Sequence, residues 1–248
     1  MTFTLLVLLA AIISGGVAGI SGFGIGSILT PLLSIQTGTK IAVALVSIPH
    51  VIATAVRFWG LRHAVDRRVF INFGILSAVG GLLGALLNGR ANSPALAIVF
   101  GGLLIFAGIS GLAGWTQRMR FGHRTAWIAG ALSGFFGGLV GNQGGIRSAA
   151  LLGFGISKES LVATATAIGL IVDAARMPVY VVNYPHQIAE HTTLTLCAIA
   201  GVLIGTIWGV KLLRQIPEQA FRRILSALIL ALGLAMLITA IAGLPHPH

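Results

Sequence analysis

Arg147 stands three residues after Gly144, directly downstream of GLVGNQGG, in a stretch otherwise rich in Ala, Leu, Ile and Gly. Within an apolar segment an ionised side chain is costly unless it pairs or lines a polar cavity, so it is a functional candidate by default. A guanidinium fork matches oxyanion geometry, and the chemistry on offer is anion binding. The alternative is an arginine snorkelling to a nearby surface. His50 follows Pro49 in another apolar run. Histidine changes charge near neutral pH, which suits a substrate hydrogen bond or proton carriage; a neutral histidine bonded to a neighbouring helix is equally open. Asp173 and Arg176 lie three apart and can pair across one helical turn. Coupling and simple neutralisation are both open to them. Arg57, beside Phe58 and Trp59 near the end of its run, reads as an interfacial anchor.

Two glycine clusters gather the remaining polar groups. In GISGFGIG these are Ser21, Gly22, Phe23 and Gly24, with Ser27 and Thr30 after them; in GLVGNQGG they are Gly141, Asn142, Gln143 and Gly144, followed by Ser148. Helix capping explains any one of them. Their concentration at two sites favours a shared polar pocket. No metal site is expected, because the terminal His246 and His248 alone make a weak ligand set. No P-loop or cofactor motif is present.

The segments that must position these residues are set by composition. Of 248 residues, 56% are hydrophobic and 8% charged, and mean hydropathy is +0.97, which a soluble domain cannot accommodate. The chain reads as an all-α integral membrane protein. Its net charge of +11 does not point to nucleic acid, since the basic residues fall in short loops between apolar runs. Cys197, the single cysteine, lies in such a run and permits no disulfide within the chain. The N-terminal apolar stretch lacks a preceding Lys or Arg and reads as retained rather than as a cleaved signal.

The apolar segments run 3–19, 24–36, 40–60, 70–88, 94–114, 125–140, 144–156, 159–182, 190–211 and 217–243. Segments 24–36 and 144–156 are too short to span about 30 Å of hydrocarbon, and each follows a glycine cluster. Charge decides how they run. If both clusters merely kink a crossing, Arg57, Arg62, Arg67, Arg68, Arg118, Arg120 and Arg124 face Lys40, Arg90, Lys158, Lys211, Arg214, Arg222 and Arg223 across the membrane, seven against seven. If 125–156 is instead a hairpin, Lys158 and the 211–223 cluster join the first group, twelve against two. The positive-inside rule favours the hairpin.

An internal repeat extends this to the first cluster. At an offset of 119, Ser14, Gly15, Gly19, Gly22 and Gly26 meet Ser133, Gly134, Gly138, Gly141 and Gly145, and Arg57 meets Arg176. The expected architecture is two inverted repeats, each a re-entrant helical hairpin plus three transmembrane helices. They occupy 1–114 and 125–248, joined by a cytoplasmic linker at 115–124. Three spans per half invert the second half, so both termini and the 183–191 loop lie outside the cytoplasm. The hairpin tips then meet near the midplane, presenting helix N-termini to a common cavity that suits an anion. Small residues four apart, Gly15/Gly19, Gly130/Gly134/Gly138 and Gly201/Gly205/Gly209, read as close helix contacts.

The paired motifs SGGVAGISGFGIGSILTPLL (14–33) and SGFFGGLVGNQGGIRSAALL (133–152) resemble the sulfite exporter TauE/SafE family over essentially the whole chain. The shared element is G-x-x-G-x-x-x-G followed by a short apolar arm; Phe23 and Asn142–Gln143 interrupt the family's fuller glycine run. The resemblance implies a multi-pass protein of the bacterial inner membrane that moves small anions, typically sulfite, sulfonates or other organosulfur compounds, without ATP. Its expected partners are the anionic substrate, the lipid bilayer and a coupling proton or ion. A passive anion channel on the same scaffold is the first alternative. The second is an intramembrane serine protease, since GISG has the G-x-S-G form with Ser21 as nucleophile and His50 as base. The repeat argues against it: Val140 replaces Ser21 while the flanking glycines stay.

Overall fold

The computed structural model describes residues 2–88, 94–115, 123–140 and 143–242. Among them the chain is all helix, without a strand. The first half holds α1 (Thr2–Ser21), α2 (Ile25–Thr37) and α3 (Thr39–Leu61). A short turn, α4 (Arg67–Val69), then runs through a π-helical Phe70–Gly74 into α5 (Ile75–Asn88), and α6 (Pro94–Leu112) follows. The second half holds α7 (His123–Val140), α8 (Gln143–Leu151), α9 (Lys158–Asn183), the short α10 (Pro185–Glu190), α11 (Thr192–Gln215) and α12 (Glu218–Ile241). Helix is the form that satisfies every backbone group within one segment, as hydrocarbon demands. The breaks fall where the sequence permits them. Gly22 and Gly24 take φ of 83° and 127°, a region that side chains with a Cβ rarely enter. Pro185 opens α10, and Pro217 caps α12.

Among the described residues, four stretches of helix are long and apolar enough to cross a membrane: Thr2–Ser21, Ile41–Ala64, Thr192–Gln215 and Glu218–Ile241. The first of these, α1, runs unbroken for 20 residues, about 30 Å at 1.5 Å per residue, and stops at Ser21. Its glycines allow this. Gly15 and Gly19 sit inside the helix as a contact face, and only Gly22 and Gly24 leave helical geometry.

Helices pair through small residues. Gly15 and Gly19 of α1 lie against the backbone at Val202 and Gly209 of α11, in parallel. On the other side of the bundle Gly130 and Gly134 of α7 lie against Phe73 and Ser77, so α5 and α7 are also parallel. Gly101 and Gly108 of α6 meet Gly233 and Leu230 of α12 in antiparallel sense. With no hydrophobic drive between helices in lipid, such backbone contact supplies the packing energy. The α3–α9 pair, also antiparallel, holds the buried polar side chains described below. Large apolar side chains such as Leu9, Ile13, Leu82, Phe106, Ile204 and Ile238 are exposed outside, forming a surface that only a bilayer would cover.

At one end of the bundle, hydrogen bonds join segments distant in sequence. Arg214 donates to Gly60 O at 3.2 Å, Lys158 Nζ to Arg214 O at 3.2 Å, and Arg222 to Ile156 O at 2.9 Å while pairing with Glu218. The turns at 61–66, 152–157 and 216–217 therefore share one end, and Arg62 lies over the exposed Trp59 ring at 4.0 Å.

Candidate functional site

The end of α1 is held by its own serine. Ser21 Oγ lies 2.8 Å from both Val17 O and Phe23 O, so its proton serves the backbone where the helix stops. The chain then turns through Gly22 and Gly24 and restarts as α2. Gly22 packs against Ala165 and Val162 of α9, and a Cβ there would come within 3.3 Å of Ala165. Next to this turn stands the start of α8. A Cβ on Gly144 would lie 2.5 Å from Phe23 Cβ, so glycine is what lets the two segments touch. Ser148 Oγ donates to Ser21 O at 3.4 Å across the same junction. Ser21, Gly22, Phe23, Gly24, Gly144, Arg147 and Ser148 are thus brought together although more than 100 residues separate the two groups. Gly141 and Asn142 lie outside the described residues, as do the side chains of Gln143 and Arg176.

Arg147 is buried, at 5% exposure, which excludes the snorkelling alternative. It donates to Ala165 O at 3.1 Å, and its guanidinium leans over Gly169, where a Cβ would meet it at 3.0 Å. On the facing helix Arg57 is buried too. This corrects the interfacial reading of Arg57: its Nε donates to Thr166 Oγ1 at 2.7 Å and its Nη1 to Ala18 O at 3.1 Å, tying α3 to α9 and α1. The interfacial role falls to Trp59 and Arg62 instead. Removing Arg57 from the charge count leaves a strong asymmetry, so the hairpin argument does not depend on it.

Asp173 is buried and pairs with His50, Nδ1 to Oδ2 at 2.8 Å; Thr54 Oγ1 lies 3.5 Å from the same nitrogen. His50 is therefore bonded to a neighbouring helix through a carboxylate. Arg57 feels the charges of both Asp173 and Arg147. Two arginines, one aspartate and one histidine thus form a single electrostatic unit, with Thr54, Thr166 and Ser148 filling the polar gaps. The sequence alone points Arg57 to the interface and does not single out Thr54 or Thr166. A usable signal was present: Arg57, and Arg176 aligned with it at an offset of 119, each sit in an apolar helix that carries further polar residues, His50 and Thr54 on α3 and Thr166 and Asp173 on α9. No group of three or more potential metal ligands occurs among the described residues.

Crossing helices, an apolar exterior and a buried charged cluster define a multi-pass helical membrane protein with a polar interior. The family model described as Sulfite exporter TauE/SafE matches residues 7–236. The chain belongs to that family, which makes it a membrane transporter of the anion-exporter type. No curated protein matches it.

Proposed function

We propose that this protein carries a small oxyanion, sulfite, a sulfonate or another organosulfur anion, by secondary transport, holding it between the two glycine turns near the bilayer midplane with Arg147 as its principal charge partner. The carrying observation is the junction itself: Phe23 seated on Gly144 and Ser148 bonded to Ser21, beside a buried arginine. Two helices, α2 and α8, begin there and direct N–H groups toward the junction, each end contributing roughly half a unit charge. A full guanidinium charge adds what helix ends alone lack. His50 and Asp173 lie within the same electrostatic unit and serve coupling.

The architecture proposed is the pair of inverted repeats, each a re-entrant hairpin plus three spans, in the bacterial inner membrane with both termini outside the cytoplasm. The helix pairings support it. Exchanging α1 with α7, α3 with α9, α5 with α11 and α6 with α12 maps the observed pairs onto one another: α1–α11 becomes α7–α5, while α3–α9 and α6–α12 map onto themselves. The His50–Asp173 contact has a repeat image in Thr54 against Gly169, where a Cβ would stand 4.0 Å from Thr54. The antiparallel sense of α6 and α12 supports a reversal of the chain between α7 and α8, as in a hairpin.

Calorimetry on purified protein with methanesulfonate, sulfite, thiosulfate and a carboxylate control tests the site. Arg147→Gln is expected to lose about 100-fold in affinity, about 2.7 kcal/mol, whereas Arg147→Lys retains weak binding. Unchanged affinity in Arg147→Gln would move the substrate away from the junction.

A further inference from the structure

We infer that protonation of His50 tunes anion valence: lowering the pH raises the site's preference for dianions over monoanions, each dianion carried with one additional proton. This rests on the proposed binding site and names its charge class.

Charged side chains gather in the buried cluster. Arg57 and Arg147 contribute two positive charges and Asp173 one negative, all buried. Against an ionised Asp173, Nδ1 of His50 carries the hydrogen in either protonation state, because that nitrogen is the one 2.8 Å from Oδ2. Nε2 is then the atom that gains and loses a proton. The two partners differ in access. The His50 side chain is 27% exposed and that of Asp173 only 7%, so the imidazole is the open member of the pair. A proton taken up there raises the charge of the cluster by one unit, whatever its total. No other described titratable side chain is seen to bond His50. On the elements packed against α3, α10 carries His186 and Glu190, α11 carries Lys211 and Arg214 with His191 before it, α9 carries Lys158 and Glu159 at its start, and the turn after α3 carries Arg62 and His63. Of these, Arg214 and Lys158 are engaged at the end of the bundle near Gly60. Arg176 shares α9 with Asp173 and adds a charge that does not titrate in this range.

An added unit charge attracts a dianion twice as strongly as a monoanion. On the scale of a unit pair about 12 Å apart in an effective dielectric of about 20, each added charge is worth about one factor of ten. The ratio of dianion to monoanion affinity therefore rises about tenfold once His50 is protonated.

Thiosulfate and methanesulfonate are suitable probes, being of similar size and holding charges of two and one throughout the range. Affinities of both for the wild-type protein, measured by calorimetry from about pH 8 down to about pH 5.5, are expected to show that tenfold rise in ratio, and His50→Gln is expected to flatten it. A wild-type ratio that stays flat, with both anions binding, overturns the inference and leaves the binding site standing; so does a rise that persists in His50→Gln. Failure of both anions to bind at any pH overturns the site and the valence rule together.

Discussion

The contact between the two glycine turns rests on a missing carbon. A Cβ at Gly144 would stand 2.5 Å from Phe23 Cβ, against 3.4–4 Å for ordinary contact. Both atoms are fixed to backbone, so rotamer changes relieve nothing, and Gly144→Ala must part the turns by about 1 Å. Overpacking of this kind costs about 1–3 kcal/mol. It also costs affinity, because an anion held by donors from both sides loses those of one side when they recede from about 2.9 Å. Charge-assisted hydrogen bonds are worth about 1.5–3 kcal/mol, so a Kd about 10- to 150-fold weaker is expected. The companion change is Phe23→Gly, not Phe23→Ala, since alanine keeps the offending Cβ. Phe23 is buried, so Phe23→Gly costs stability by itself, and the informative quantity is the double-mutant cycle. Thermal unfolding in detergent and calorimetric titration with sulfite, on wild type, both single variants and the double variant, are expected to give a double variant about 1–3 kcal/mol better than additive. Additive losses, or a Gly144→Ala protein with wild-type Tm and Kd, would refute the reasoning.

Two further outcomes are expected. Arg57→Gln removes a charge bonded to both Thr166 and Ala18 and facing Asp173, so it is expected to cost about 3–5 kcal/mol of stability, read as a lowered Tm, rather than to change surface anchoring alone. For topology, a cysteine at Asn183 in a Cys197→Ser background is expected to be labelled from outside the cell by an impermeant thiol reagent, and one at Arg214 only from the cytoplasm; the reverse pattern overturns the inverted-repeat arrangement.

Much of the helical order was legible because hydrocarbon leaves the backbone so few options: apolar runs separated by charged turns become helices, and α2, α3, α11 and α12 start and stop close to where the runs do. Arg147 was legible for the same reason, a charge where charge is expensive. Arg57 was not. Its position near the end of a span allows either a surface or an interior role, and only the way α3 faces α9 decides between them, a property of packing angle that local sequence does not carry. Glycine has two uses around the first cluster. At Gly15 and Gly19 it permits close helix contact, at Gly22 and Gly24 it permits positive φ, and the letter is the same for both.

The seam between α1 and α11 has a consequence for how the protein is made. Gly15 and Thr206, in contact across it, are 191 residues apart. Synthesis at about 5–20 residues per second separates their appearance by roughly ten to forty seconds. During that interval α1 lies in the bilayer with a strip of bare backbone and no matching helix, while α5 also waits, for α7, its partner from the second half. Each half completes the other, so neither can reach its final packing first. Truncation after the first half leaves α1, α5 and α6 without the helices they pack against, and quality control has the whole of that interval in which to act on a defective chain.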